Sequence, residues 1–530
     1  MKKIIILLSL IAGLFQKGNS QPSNINISNG TLQEGEPYLV INPTNNQNIV
    51  TAWMGIKFSN SQFRMAIKTR ASFNGGATWS TTNTQPHFSS SFNSADVSMA
   101  FDKNGFLYLS YIDFRESPDS GGVYVARSSD GGLTWDTPSK VIDAYEDGNK
   151  RPLDRPWIVV DKSNTQNSGT VYITTKPAPW VNPPNRNYYK VSSDSGHTWS
   201  TLANVDGGNY LVGGSIAQPM AVPATTINGY FCAAYPSYVS SQNIFPAYYL
   251  AKSNDAGQTL SYTTILTGTS QALDANCKNG YRLIASPIDS NKISFFMPYS
   301  SNGDADIIAL HSNDGGQNWS NIVRVNDDAI GNGKIQDMLW AEYNEQGKIA
   351  VTWRDRRNSS TTGFWNVGYD FYYAISADNG QTFSVNQKLT DQFIAFDSVI
   401  SQNGVDFMSC GYSADTLYTV WNDTRNGVVN IYFTKTIASS NTTLGMTVLE
   451  GEIPLCKIYP NPVQDYLNVE VDAKLIGLEL CLFDEQGKKV LSKIIRDTNK
   501  INVSQLANGI YFIKISADKN SFIQKIVIQK

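Results

Sequence analysis

Apolar and polar residues alternate in short runs along most of the chain, and the runs come in pairs joined by turn residues. Pro37-Tyr38-Leu39-Val40-Ile41 leads into Asn42-Pro43-Thr44-Asn45 and returns as Ile49-Val50-Thr51-Ala52-Trp53. Val97 to Phe101 turns at Asp102-Lys103-Asn104-Gly105 and returns as Phe106 to Tyr111. Trp157 to Val160 and Thr170 to Thr174 repeat the arrangement around a longer loop. Asp289-Ser290-Asn291-Lys292 and Asn344-Glu345-Gln346-Gly347 serve as the same turn further on. A period of two puts alternate side chains on one face of a strand, so the pattern predicts antiparallel hairpins.

A second signal follows these hairpins. The pattern Ser-x-Asp-x-Gly-x-Thr-Trp begins at Ser72, Ser128, Ser192, Ser253, Ser312 and Ser376. Its Asp (Asn in the first copy) falls at 74, 130, 194, 255, 314 and 378, at spacings of 56, 64, 61, 59 and 64. A near-constant period of this length marks a repeat architecture such as a propeller. Locally the motif reads as a hairpin turn: the carboxylate accepts N–H bonds from its own turn, and the Gly permits positive φ. These residues resemble the Asp-box, the bacterial-neuraminidase repeat of sialidase-like propellers. In that family the box is a fold-stabilising turn, so the resemblance gives its Asp no catalytic role.

A seventh unit starts at Asp406-Phe407-Met408-Ser409, turns at Ser413-Ala414-Asp415-Thr416 and continues to Thr434 without a box or a fourth strand. Ile25-Asn26-Ile27-Ser28 alternates and is placed to supply that strand and close a ring. The expected fold is therefore all-β: a seven-bladed β-propeller over residues 21–436, with a six-bladed ring as runner-up. A small polar linker over 437–455 would join it to a C-terminal β-sandwich over 456–530. That last segment carries Tyr459-Pro460-Asn461-Pro462, Leu467 to Val471, Leu482 to Lys488, Leu506 to Ile515 and Lys525 to Lys530. It resembles the type A sorting domain of the type IX secretion system. The resemblance implies passage across the outer membrane through that machinery, followed by release or cell-surface attachment.

Composition narrows this further. The chain has 530 residues with 16% charged and 12% aromatic side chains, which argues against disorder. Lys2 and Lys3 precede an apolar run from Ile4 to Phe15 and small residues up to Ser20, the pattern of a secretory signal peptide over 1–20. No other run approaches the length of a transmembrane segment. Net charge is −3, and residues 21–455 carry −9 of it, which excludes a nucleic-acid binder that works by phosphate neutralisation. The five Cys (232, 277, 410, 456 and 481) match no metal spacing. Cys456 with Cys481, and Cys232 with Cys277, are candidate disulfides, and buried free thiols are the alternative.

Candidate chemistry gathers at the ends of second strands and the starts of first strands, which a propeller brings to one face. Three second strands end as aromatic-x-Asp-x-Arg: Tyr111-Ile112-Asp113-Phe114-Arg115, Trp353-Arg354-Asp355-Arg356-Arg357 and Trp421-Asn422-Asp423-Thr424-Arg425. First strands open with Glu36-Pro37, Asp96-Val97, Asp154-Arg155-Pro156, Tyr281-Arg282 and Gln336-Asp337. Resemblance to sialidases implies three arginines on a sugar carboxylate, an Asp acid and a Tyr–Glu nucleophile pair. By position and type, Arg155, Arg282, Arg357 and Arg425 are candidate substrate-binding residues, and Asp113 and Asp355 candidate acid/base residues. The family's Arg-Ile-Pro is replaced here by Glu36-Pro37-Tyr38, and no Tyr–Glu pair is assigned among the 27 Tyr. The repeated Asp–Arg pairs also fit rim salt bridges between blades. Three His and no phosphate loop leave no cofactor to expect, although Ser301-Asn302-Gly303-Asp304-Ala305-Asp306 is able to hold a structural Ca²⁺. Two readings follow: a secreted sialidase-like glycoside hydrolase acting on an anionic glycan or glycoprotein, or a non-catalytic propeller that binds glycan or protein at the cell surface.

Overall fold

The computed structural model describes residues 23–59, 61–115, 120–147, 153–178, 186–207, 220–239, 244–267, 280–300, 303–360, 367–395, 406–438, 456–471, 476–484, 488–496, 499–517 and 520–530. The expected signal peptide and most of the linker lie outside these residues. The chain divides into two compact units, Met1–Thr443 and Leu444–Lys530.

Among the described residues the first unit is built of seven four-stranded antiparallel sheets. Their first strands are Glu34–Asn42, Phe92–Phe101, Leu153–Val160, Val222–Thr225, Arg282–Ala285, Gln336–Tyr343 and Ser409–Ser413. Each first strand packs on the next along the chain, and the last packs on the first. That closed cycle makes the sheets the blades of a propeller around a common axis. The seventh blade borrows its outer strand from the start of the chain, as the alternation at Ile25 foretold. Ile25 pairs with Phe433 and Asn26 with Tyr432, and Ile27 N–H donates to Ile431 O at 2.9 Å.

Apolar side chains between adjacent blades hold the ring together. Leu39, Ile49 and Trp53 of the first blade pack on Ile27, Tyr418, Val420, Ile431 and Phe433 of the seventh, all buried. At the axis Tyr38, Trp157 and Trp340 form an aromatic layer. Their ring centroids lie 5.7 Å (Tyr38–Trp157), 5.0 Å (Tyr38–Trp340) and 5.9 Å (Trp157–Trp340) apart.

The six boxes share one geometry, and it explains their residue types. In the second, Ser128 Oγ accepts Gly132 N–H at 2.9 Å and donates to Asp130 Oδ1 at 2.8 Å, while that oxygen accepts Thr134 N–H at 3.0 Å. Thr134 Oγ1 donates to Asp130 Oδ2 at 2.5 Å. Two consecutive left-handed residues close the turn, Gly131 at φ 72° and Gly132 at φ 89°. The box then locks to the preceding blade: Asn48 Nδ2 donates to Gly131 O at 3.1 Å, and Lys252 Nζ does the same to Gly315 O at 2.7 Å. Hydrogen bonds inside the box, from Ser253 and Thr259 to Asp255 and from Asn318 and Ser312 to Asp314, hold these carboxyls low, near 2.

The second unit has a three-stranded sheet (Cys456–Tyr459, Tyr466–Val471, Asn499–Asn502) and a four-stranded one (Lys489–Ile494, Glu479–Phe483, Gly509–Ala517, Asn520–Ile528). Leu467, Val469, Leu482, Ile513 and Ile526 fill the core they share. Cys232, Cys410 and Cys481 are free thiols, so neither candidate disulfide forms. Among the described residues no helix is long and apolar enough to cross a membrane.

Gly132 is a position where the second box has no room for a side chain. A Cβ there meets Val50 Cγ2 at 2.7 Å in a left-handed backbone. Gly132→Ala is expected to cost at least about 1–2 kcal/mol, read as a lower urea midpoint. An unchanged midpoint contradicts the lock between blades one and two.

Candidate active site

Four first strands carry the same irregularity. Pairing with the second strand slips between Gly35 and Tyr38, Ala95 and Ser98, Asp154 and Trp157, and Asp337 and Trp340. In each bulge one non-glycine residue is left-handed: Glu36 (φ 53°), Asp96 (φ 55°), Arg155 (φ 50°) and Met338 (φ 50°). A bulge re-aims its side chain, and a left-handed residue with a Cβ costs about 1–2 kcal/mol. Strain of this kind concentrates at functional sites.

Three of these bulges bring Glu36, Asp96 and Arg155 into one buried cluster. Arg155 N–H donates to Asp96 Oδ2 at 3.2 Å, and Arg155 Nη2 donates to Asp406 Oδ2 at 2.5 Å. Asp406 N–H donates to Glu36 Oε1 at 3.3 Å, and the other Glu36 oxygen is buried with no partner among the described residues. Asp154 hydrogen-bonds Asp96 and pairs with Lys176, which is almost fully buried. The Arg155 guanidinium lies 4.7 Å from the centre of the Phe407 ring, and Phe407 packs edge-on against Trp157 at 5.2 Å. The cluster therefore sits over the axial aromatic layer. Residues from blades one, two, three and seven meet there.

Of the candidates read from the sequence, only Arg155 belongs to this centre. Asp113 is buried in its own blade and accepts bonds from Phe88 N–H (2.8 Å) and Ser94 Oγ (2.9 Å), beside His87 Nδ1 at 2.9 Å. It anchors the segment that leads into Phe92. Asp355 accepts Trp353 Nε1 (2.8 Å), Arg357 N–H (2.8 Å) and Arg357 Nε (3.0 Å). Asp423 does the same with Trp421 and Arg425.

Each of these arginines then crosses to the link that enters its blade. Arg357 Nη1 reaches Asp327 Oδ1 at 2.6 Å, and Arg425 Nη1 reaches Asp391 Oδ1 at 2.5 Å. Their guanidinia stack on Tyr372 and Tyr432. They are rim clamps, and the alternation that aligned aromatic, Asp and Arg on one side of the strand serves blade packing. Arg282 lies elsewhere: it pairs with Glu342 over the Trp340 ring, where it lines an axial cavity that Arg155 does not. The four arginines thus do not converge on one cavity.

Sequence reasoning placed Glu36, Asp96 and Asp154 at strand starts but gave them no role, and it did not single out Lys176 or Asp406. The available signal was a charged residue in front of Pro within an apolar strand, as at Glu36-Pro37 and Arg155-Pro156.

Residues 114–367 match the BNR repeat-like domain, and residues 457–529 match the secretion system C-terminal sorting domain. The propeller thus carries a BNR repeat-like domain, and the C-terminal unit is a secretion system sorting tail. The tail directs the BNR propeller to the cell surface or the medium and implies contact with the secretion machinery. No curated protein matches the chain significantly. Solved structures similar to the propeller include the Hadza microbial sialidase Hz136, at 16% identity, TM-score 0.43, over 73% of this chain and 76% of that one. Another is the phage phi92 endosialidase, at 12% identity, TM-score 0.44, over 96% and 87%. A third is the GH93 alpha-L-arabinofuranosidase of Fusarium graminearum, at 13% identity, TM-score 0.40, over 79% and 98%. Identities this low transfer no substrate.

The electrostatics of the BNR propeller's centre separate its carboxyls. Burial, then the charge of Asp154, pushes Asp96 well above the usual carboxylate range. Burial, then the charges of Asp96 and Asp406, does the same to Glu36. Burial also acts on Asp154, but the hydrogen bond from Asp96 and the charges of Lys176 and Arg155 outweigh it and hold Asp154 low. The two carboxyls in contact are thus shifted in opposite directions, as in a carboxyl pair that resists double ionisation. Among the described residues no group of three or more His, Cys, Asp or Glu is arranged to hold a metal. Asp306 Oδ1 instead accepts Arg324 Nε at 2.8 Å, and Asp304 Oδ2 accepts Gly333 N–H at 2.8 Å.

The raised carboxyls fix a sign. Between the unfolded value near 4 and the higher folded values, the native state binds more protons than the unfolded one. Stability therefore falls as pH rises through that window. Asp96→Asn is expected to flatten the fall and to stabilise the propeller at pH 8 relative to pH 5, as measured by urea denaturation at both. A steeper fall in the variant contradicts the shared proton.

Proposed function

We propose that this secreted propeller is a glycoside hydrolase-type enzyme whose acid–base chemistry lies in the Asp96–Asp154–Arg155 cluster. The contact between Asp96 and Asp154, with opposite shifts in acidity, carries the reading. A carboxyl whose ionisation burial opposes, as at Asp96, is what a general acid needs to protonate a leaving glycosidic oxygen. Asp406, ion-paired with Arg155, is the carboxylate partner on the other side of the guanidinium. Arg155, held against the face of Phe407, is the cation available to hydrogen-bond a sugar hydroxyl.

The charge balance of the cluster favours a neutral sugar over an anionic one. Four carboxyls (Glu36, Asp96, Asp154, Asp406) face Arg155 and Lys176, and both cations are already paired. A non-catalytic glycan- or protein-binding propeller is the second reading. It is favoured by the engagement of Arg282, Arg357 and Arg425 with Glu342, Asp355 and Asp423.

A panel of neutral aryl glycosides and one aryl sialoside tests the proposal. Turnover of a neutral glycoside is expected. Asp96→Asn should lower kcat/KM by about 10²–10⁴, while Arg425→Met should leave it within about threefold. Hydrolysis of the sialoside alone would restore the anionic substrate. Binding on a glycan array without turnover would establish the second reading.

A further inference from the structure

The hairpin between the second and third strands of blade one rises above its first strand. Gly55 is the last residue of Asn45–Ser59 to pair with that strand, opposite Glu34. Beyond it the pairs Ile56–Met65, Lys57–Arg64, Phe58–Phe63 and Ser59–Gln62 extend the hairpin by roughly 13 Å. Alternation gives this extension one apolar face. Met54 and Ile67 pack on the core, Ile56 and Met65 are half-buried above them, and Phe58 and Phe63 end the stripe at 60% and 62% exposure. The two ring centres lie 4.9 Å apart. Met54 also packs on the cluster that holds Ala95, Ile112 and Val123, so the face looks toward blade two. Met65 N–H donates to Asn93 Oδ1 of that blade at 3.0 Å.

Blade two presents a third such ring. Phe88 is 69% exposed and lies on the link into Phe92–Phe101, the strand that carries Asp96. Its backbone is fixed all the same, because Phe88 N–H donates to the buried Asp113 carboxylate at 2.8 Å. Its ring centre lies 5.8 Å from that of Tyr124, with Lys140 Nζ at 5.5 Å. Phe58, Phe63 and Phe88 are the three most exposed aromatic side chains among the described residues. All three lie on the side of the propeller opposite the boxes, which is also the side of the Asp96–Arg155 cluster.

Area and shape select the occupant. A Phe covers about 150–250 Å² when fully buried, so three rings at this exposure offer roughly 300–500 Å². A stable protein interface takes about 800 Å² from each partner. The outermost turn, Ser59 to Gln62, is polar, and the Phe pair faces sideways behind it, so a flat lipid surface meets the turn first. The C–H face of a sugar ring is small and apolar, and it packs on the negative face of an aromatic ring. A ring on a fixed backbone loses little freedom when it is covered.

We infer that Phe58, Phe63 and Phe88 form a stacking platform for the sugar units of a neutral polysaccharide, outside the acid–base cluster. The inference rests on the hydrolase reading for its substrate, and it extends that substrate from a single glycoside to a chain laid across blades one and two.

Calorimetry on the full-length protein tests this, with linear hexasaccharides of 1,4-linked glucose, xylose and mannose as probes. An Asp96→Asn background suppresses cleavage during the titration. At least one probe is expected to bind. Phe58→Ala/Phe63→Ala should weaken that binding by about tenfold or more, and Phe88→Ala severalfold. Phe63→Trp keeps a stacking ring and should stay within about threefold of its parent. Thermal melting checks that each variant folds. Ring-dependent binding without turnover of any glycoside by the unsubstituted protein removes the hydrolase reading and leaves a platform that only binds. Turnover of an aryl glycoside, with equal hexasaccharide affinity in Phe58→Ala/Phe63→Ala, overturns the platform and keeps the hydrolase. Failure of all three probes to bind also overturns it, as does ring-dependent sedimentation with phosphatidylcholine vesicles in their place.

Discussion

Closure of the ring is the constraint on which the rest depends. A four-stranded sheet with one apolar face cannot stand alone in water, and each blade here buries its faces only against its two neighbours. The cycle is completed by a short pairing of Ile25–Asn26 with the strand Asn430–Ile437, residues separated by almost the whole propeller. Once it closes, the first strands have nowhere to go but the axis. Side chains from Glu36, Asp96, Arg155 and Asp406 then meet, although the sequence spreads them over most of its length.

The boxes and the bulges divide the labour. On one side of each blade the Ser–Asp–Thr turn satisfies its own backbone and hands a carbonyl to the preceding blade, so that side is rigid and repeated. On the other side the first strands bulge, and the left-handed residues turn charged side chains inward against the aromatic layer. Burial there raises two carboxyls and an adjacent pair of cations lowers a third. That asymmetry cannot come from repetition; it requires different residues at equivalent positions, as with Glu36, Asp96, Arg155 and Met338.

Much of this was legible in the sequence. The six boxes, the hairpin turns and the alternation at Ile25 all predicted what formed, because turn chemistry and period are local properties. The site was legible only in outline. Asp355 and Arg357 were read as functional because they share a strand face; they bond to each other, and the further partners of Arg357, Asp327 and Asn386, lie in segments that only tertiary packing brings near. Arg282 was placed at the strand start beside Arg155, but its side chain points past the aromatic layer. The bulge conformations at Glu36 and Asp96 are imposed by neighbouring blades, and no local rule puts a charged residue at positive φ inside a strand. Arg155 was singled out by type and position, and it lies in the axial cluster.

The central claim is that residues of separate blades act as one charged unit at the axis. A double-mutant cycle on Asp96→Asn and Asp154→Asn, followed by urea denaturation at pH 7, measures this directly. Coupling of about 0.5–3 kcal/mol between the two substitutions is the predicted result. Strict additivity would mean that the two carboxyls do not share a proton, and the proposed centre would be contradicted.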